Sequence, residues 1–221
     1  MLALIMISSI TKTTSLQKAI RRYKDNFQSQ LGCEKMKALI VYATRYGATA
    51  LTSQEIAKVL REEGFDVKVV DAKKEKIQDI SEFELVIVGG GLKMGKWTGE
   101  SDAFLKNFQE HLAQKKIAIF VSSAMKSLFE RQGKTDDLEK IRKQYLEDEA
   151  SEYHLNPIAL GLFGGIMDKN KMGFIFRRTL GPLIKQFEEA SFKETSPGVI
   201  DTRDVEEIRK WTKEIAQKAF H

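Results

Sequence analysis

The sequence predicts an α/β domain built on a five-stranded parallel sheet with helices on both faces. Three observations carry this. Short apolar, β-branched runs recur along the chain, as in 37–42 (KALIVY), 84–90 (ELVIVGG) and 116–121 (KIAIFV). Stretches with apolar residues at helical spacing separate them. The turns that follow the strands are rich in Gly, Thr and Ser.

Each element follows from its pattern. Residues 37–42 form the first strand, and 50–63 the first helix, with Leu51, Ile56, Val59 and Leu60 as its stripe and Gly64 as its stop. Residues 66–71 (DVKVVD) alternate as an outer strand does. Residues 84–90 are continuous and β-branched, the mark of a strand buried on both faces. A helix follows at 101–113, with Phe104, Phe108 and Leu112 at four-residue steps, and then the fourth strand at 116–121. Residues 135–150 read as a charged amphipathic helix with Leu138, Ile141 and Tyr145 on one stripe. Residues 157–163 (PIALGLF) are the fifth strand, and 202–219 a last helix carrying Val205, Ile208, Trp211, Ile215 and Ala219.

Two segments stand outside this alternation. Residues 1–35 precede the first strand, with an amphipathic stripe of Leu16, Ile20, Tyr23, Phe27 and Leu31. They read either as a docking or membrane-touching helix or as upstream read-through before a native start at Met36. Residues 166–199 form an insert where the fold needs only a short loop. The expected domain is therefore 36–221, with the insert inside it.

Composition narrows the function classes. The chain has 221 residues, 42% hydrophobic and 30% charged, ordinary values for a globular protein. The net charge is +5, of which residues 1–35 contribute +4 and the remainder +1, so the basic balance makes no general case for nucleic acid. Cys33 is the one cysteine, which excludes an internal disulfide and fits a cytoplasmic location. No apolar run reaches the ~18 residues that span a bilayer. The opening MLALIMISSI is a poor signal peptide, with no basic residue before it and no small-residue cleavage site after it. His111, His154 and His221 share no metal or triad spacing with one another. No catalytic side chain and no metal are expected, and any chemistry would come from a cofactor.

Ligands of parallel sheets bind at the carboxyl ends of strands, which directs attention to three turns. After the first strand comes Ala43-Thr44-Arg45-Tyr46-Gly47-Ala48-Thr49. Helix N-termini expose N–H groups and a partial positive charge, so this turn suits an anion. Thr44 and Thr49 add hydroxyls, Arg45 a charge, and Gly47 a left-handed backbone. A plain strand–helix turn with a threonine cap would look the same. The P-loop pattern is absent, and the glycines at 89, 90, 91 and 95 follow the wrong strand for a Rossmann fingerprint.

The segment ALIVYATRYGATALTSQEIA resembles the start of a flavodoxin, whose phosphate loop has the form Thr/Ser-x-Thr-Gly-x-Thr. Thr44, Gly47 and Thr49 match; Tyr46 replaces the middle threonine and Ala48 the usual asparagine. The resemblance implies a flavodoxin-like three-layer sandwich with strand order 2-1-3-4-5 and FMN as cofactor. It also implies that the turn Gly90-Gly91-Leu92-Lys93-Met94-Gly95-Lys96-Trp97 passes beside the flavin ring, with Met94 and Trp97 as stacking candidates. Trp97 also reads as a half-buried surface aromatic. Lys93 and Lys96 would favour added negative charge on a flavin and give a milder potential than acidic surroundings would; they also read as solvated lysines. Ser122 and Ser123 would close the third side.

Residues 36–219 resemble in particular the branch of flavodoxin-domain proteins that contains the menaquinone-dependent protoporphyrinogen dehydrogenases. The resemblance rests on the 91–97 turn, the insert and Asp201-Thr202-Arg203. It implies an oxidoreductase that takes electrons from a substrate, protoporphyrinogen being one candidate, and passes them to a quinone or protein acceptor. An electron-transfer module with protein partners only, or a flavin-free binding module, are the alternatives. Between 169 and 185 the insert carries Lys169, Lys171, Arg177, Arg178 and Lys185 and no acid. The stretch 169–187 therefore reads as a contact for the inner face of a membrane or a quinone-bearing partner, as a lid over an anionic substrate, or as a helix packed on the sheet. Oligomeric state does not follow from the sequence.

Overall fold

The computed structural model describes residues 35–93, 95–173 and 178–221. The chain divides into a unit ending at Met36 and a unit spanning Lys37–His221. The first lies almost wholly outside the described residues, as do the expectations made for 1–34, Met94 and 174–177.

The larger unit is built on strands β1 (Lys37–Ala43), β2 (Asp66–Asp71), β3 (Leu85–Lys93), β5 (Lys116–Ser122) and β6 (Ala159–Phe163), ordered β2-β1-β3-β5-β6 and parallel throughout. This is the predicted order. The inner strands are β-branched and buried because helices cover both faces. β2 lies at the edge, burying Val67 and Val70 while Asp66 and Lys68 are exposed. A two-residue strand, β4 (Lys96–Trp97), folds back antiparallel on the end of β3, pairing Lys93 with Lys96.

The two faces sort by strand alternation. Leu39 and Val41 of β1, Val86 and Val88 of β3, and Ile117, Ile119 and Val121 of β5 point to one side. There they pack with Phe104, Leu105 and Leu112 of α2 (Gly99–Leu112) and Ile141 of α4 (Thr135–Arg142). On the opposite side α1 (Ala48–Glu62) packs along α7 (Val205–Phe220), and Arg209 Nε meets Glu55 Oε1 at 2.6 Å. Phe120, Phe163 and Trp211 form an aromatic cluster between α7 and the sheet. α1 stops where Gly64 adopts φ 100° and Phe65 N–H reaches back to the Leu60 carbonyl at 3.0 Å. The Asp204 carboxylate accepts from the N–H groups of Glu206 and Glu207 and starts α7.

The structure departs from the sequence reading in three places. A helix, α3 (Ala124–Arg131), begins directly after β5. The helix expected over 135–150 is interrupted by a π turn at Lys143–Glu147 before it resumes as α5 (Asp148–Glu152). The insert is a subdomain rather than a single helix. Strands β7 (Ile166–Asp168), β8 (Glu194–Ser196) and β9 (Val199–Asp201) form an antiparallel sheet ordered β7-β9-β8, joined by α6 (Gly181–Glu189).

Candidate functional site

The carboxyl ends of β1, β3 and β5 meet at one cleft that is open to solvent and lined in part by Thr44, Tyr46, Thr49, Gly91, Ser122 and Ile166. Arg45, Ala48, Leu92, Ala124 and Gly165 complete the lining.

The first wall is the turn after β1. Gly47 takes φ 97°, a conformation that costs a residue with a Cβ, and it lets the chain turn into α1. Thr44 Oγ1 accepts the Gly47 N–H at 3.0 Å, so this hydroxyl shapes the turn while its own proton stays available. Among the described residues no side chain caps α1. Its first N–H groups have no intrahelical partner, and the positive end of the helix faces this turn. Ala48 and Thr49 are buried, at 6% and 1% exposure, beneath it. The Arg45 guanidinium lies 5.0 Å from the centre of the Tyr46 ring.

The second wall is β3. A Cβ on Gly91 would stand 2.9 Å from the Ala43 carbonyl oxygen, 3.3 Å from Thr44 Cα and 3.4 Å from Arg45 N. Only glycine lets the turn lie this close to β3. Leu92 lines the cleft beside it. Gly95, at φ 77°, makes the tight return to β4.

Trp97 corrects an expectation. It is not among the residues that line the cleft but lies in the core on the α2 side, 6% exposed. Its ring occupies the space where a Gly90 Cβ would be, 2.4 Å from that position, and its Nε1–H donates to the Tyr145 carbonyl at 2.8 Å. Gly90 therefore makes room for Trp97, and the pair anchors the β3–β4 hairpin to the π turn. Lys96 is exposed on that hairpin. The Lys93 side chain, like Met94, falls outside the described residues.

The third wall is the turn after β5. Ser122 lines the cleft with its Oγ 3.4 Å from Thr52 Oγ1 of α1. Ser123 is buried and donates its N–H to the Phe163 carbonyl at 2.8 Å, which leaves Ala124 to face the cleft. Gly165 presses on the start of α3; a Cβ there would sit 2.5 Å from Ala124 N.

The insert is joined to the site through Tyr46. Its ring packs with Leu128, Met167, Met172, Phe187 and Ile200, the small core beneath the insert. Its hydroxyl is buried without a hydrogen-bond partner among the described residues. Three of the insert's lysines carry acidic neighbours. Lys169 meets Glu188 at 2.8 Å and Glu194 at 3.3 Å, Lys171 meets Asp168 at 3.2 Å, and Lys185 meets Glu189 at 3.6 Å. Leu180, Leu183 and Ile184 pack inward on the same core. Among the described residues, Lys169, Lys171 and Lys185 thus each have an acidic partner while the apolar side chains of the same stretch pack inward.

Three contributors were not anticipated from sequence. Gly165 and Ile166 bring the insert's first strand to the cleft wall. Lys73 Nζ donates to the Thr44 carbonyl at 2.7 Å from the turn after β2. The glycine pair 164–165 at the end of β6 was the legible signal for the first two; nothing in the sequence marks Lys73 among its neighbouring lysines.

Among the described residues no three His, Cys, Asp or Glu side chains gather as a metal site. No described helix is long and apolar enough to cross a membrane. One acid is strongly perturbed away from the cleft. Burial, then Asp102 and Glu152, raise Glu149 to about 7.

Comparison with known proteins bears on this arrangement. The family described as "Flavodoxin domain" matches residues 39–194. A protein of Archaeoglobus fulgidus named putative uroporphyrinogen-III synthase is 25% identical over 164 residues, covering 71% of this chain and 69% of that one. The Flv1 flavodiiron core from Synechocystis superposes with a TM-score of 0.51 at 14% identity, over 91% of this chain and 41% of that chain. The rubredoxin oxygen:oxidoreductase of Desulfovibrio gigas gives 0.48 at 15% identity, over 84% of this chain. The chain spans only 37% of that protein's length.

Proposed function

The chain belongs to the flavodoxin-domain family, and on that premise we propose that it binds FMN and works as an electron-transferring flavoprotein. The carrying observation is the approach of Gly91 to Ala43 and Thr44, which closes the phosphate turn against the strand end beside it. The residues present fit a phosphate monoester. The turn offers N–H groups at a helix N-terminus, the Thr44 proton, and a buried Tyr46 hydroxyl whose hydrogen-bonding capacity is unspent. Thr44 to Thr49 would hold the phosphate; Gly91, Leu92 and Ser122 would border the ring. Bound there, the flavin supplies one- or two-electron transfer. The protein residues orient it, exclude water from its buried side, and set the local charge. Lys96, exposed on the hairpin, would supply positive charge there, so its change to glutamate lowers the reduction potential.

The finer reading is an oxidoreductase that takes electrons from a substrate, protoporphyrinogen being the candidate, and passes them to a quinone or protein acceptor. The resemblance of 91–97, the insert and 201–203 to the protoporphyrinogen dehydrogenase branch supports it, and the Archaeoglobus relative is itself named for a porphyrinogen. A second reading, transfer between protein partners only, is favoured by the lining of the cleft, which includes no carboxylate or histidine to move a substrate proton.

Anaerobic mixing of the FMN-loaded protein with protoporphyrinogen separates the two. Bleaching of the flavin's visible band, reversed by a menaquinone analogue, supports the oxidoreductase. Bleaching only by a reduced carrier protein assigns the chain to the transfer module.

A further inference from the structure

We propose that Lys73 is a further residue of the phosphate site, a positioning residue that aims the first N–H of the turn and adds positive charge beside it. The inference rests on the reading of the cleft as an FMN site.

The sequence places Lys73 through β2. β1 and β2 run parallel with Tyr42 opposite Asp71, and the Ala72 N–H continues the ladder to the Tyr42 carbonyl at 2.9 Å. The chain then turns about Asp71. Its Oδ1 accepts the Lys73 N–H at 3.1 Å, and its carbonyl accepts the N–H groups of Lys74 and Glu75 at 2.9 and 3.0 Å. Such an Asp-centred turn fixes the backbone that follows. Lys73 consequently leaves the sheet beside the end of β1, and its ammonium reaches the Thr44 carbonyl at 2.7 Å.

That bond orients a peptide plane. The Thr44–Arg45 peptide is trans, so its N–H points away from its carbonyl. A carbonyl turned toward Lys73 directs the Arg45 N–H to the opposite side. Arg45 N is also the atom 3.4 Å from where a Gly91 Cβ would stand, on the wall of the cleft. Lys73 thus faces a carbonyl oxygen outward and an amide donor inward, the orientation an anion requires. The Thr44 side chain, which accepts the Gly47 N–H, fixes the other end of the same turn.

Charge adds to geometry. Arg45 lies over the Tyr46 ring, and Lys169, Lys171 and Lys185 of the insert pair with carboxylates. Lys73 forms no ion pair among the described residues. Its field at the turn is not cancelled by a partner, although solvent and salt screen it.

The test is titration of apoprotein with FMN and with riboflavin, for the wild type, Lys73→Met and Lys73→Arg, at low and high salt. Lys73→Met is expected to raise the FMN Kd about ten-fold while leaving riboflavin within about two-fold, because only FMN carries the phosphate. Lys73→Arg should restore most of the loss, and the gap between wild type and Lys73→Met should narrow at high salt. Thermal unfolding of Lys73→Met should match the wild type, since the side chain is exposed. An unchanged FMN Kd in Lys73→Met, or an equal loss for FMN and riboflavin, overturns the proposal. Failure of the wild type to bind FMN is a different result; it overturns the cofactor reading and this inference with it.

Discussion

Adding one methyl group at Gly91 should separate the phosphate turn from β3. An alanine Cβ there would stand 2.9 Å from the Ala43 carbonyl oxygen, about half an ångström inside ordinary contact. It would also press on Thr44 Cα at 3.3 Å and Arg45 N at 3.4 Å. All three atoms are backbone, so no side chain can rotate aside. Ala43 is held in the ladder opposite Gly90, and the turn must absorb the displacement. Overpacking of this kind costs about 1–3 kcal/mol. If the turn absorbs most of it, the FMN Kd rises about 10- to 100-fold at 1.4 kcal/mol per decade. The assay is quenching of flavin fluorescence on titrating apoprotein, paired with urea unfolding of the same sample. Gly47→Ala is the control. No atom lies within 4 Å of its added Cβ, so its cost is the φ of 97° alone, about 1–2 kcal/mol. A Gly91→Ala protein with wild-type FMN affinity and unchanged unfolding would refute the close approach.

Other outcomes follow from the same geometry. Trp97→Phe loses the bond to the Tyr145 carbonyl and should destabilise by about 1–2 kcal/mol; because the ring faces the core, the FMN Kd should stay within about two-fold. Tyr46→Thr restores the threonine of the resembled phosphate loop but removes a ring from the insert's core, and chemical denaturation should show a loss of about 2–4 kcal/mol. Glu149 should make stability depend on pH. Burial first, then Asp102 and Glu152, raise it from 4.5 to about 7. The folded state therefore holds its proton more tightly than the unfolded chain does. Its contribution is full below about pH 4.5, declines as pH rises, and is lost above about 7. Solvent reaches this side chain, so the decline amounts to about 1–2 kcal/mol. Glu149→Gln should flatten the profile between pH 5 and 8 as read by urea midpoints, and an unaltered profile would contradict the assignment.

The sheet was legible because burial on both faces demands continuous β-branched runs, and β1, β3 and β5 carry them. The turn after β1 was legible because Gly47 and the two threonines mark a strand–helix junction. Shorter elements were not. β7, β8 and β9 have three residues each, too few to display alternation. The π turn leaves no mark because Ile141, Tyr145 and Leu146 keep an apolar stripe through it. Trp97 misled because an aromatic in a glycine-rich turn suggests a ligand face, whereas two residues of antiparallel pairing send it into the core. Gly90, whose missing Cβ leaves space for the ring, was the sign of that. The pairing of the insert's lysines was missed because a window of 169–185 stops short of its acids. Asp168 and Glu189 lie three and four residues from the lysines they meet, within reach of sequence reasoning. The contact of Lys169 with Glu194 depends on β8 folding back and was out of reach.

On the reading proposed above, the three strand-end turns form a site for the phosphate and ring of FMN. It is tested most directly by titrating purified apoprotein with FMN and with riboflavin and following flavin fluorescence. Tight quenching by FMN is expected, with riboflavin binding at least about ten-fold weaker, since the phosphate contacts of the Thr44–Thr49 turn are then forfeited. Equal affinities for the two flavins, or no binding of either, would contradict it.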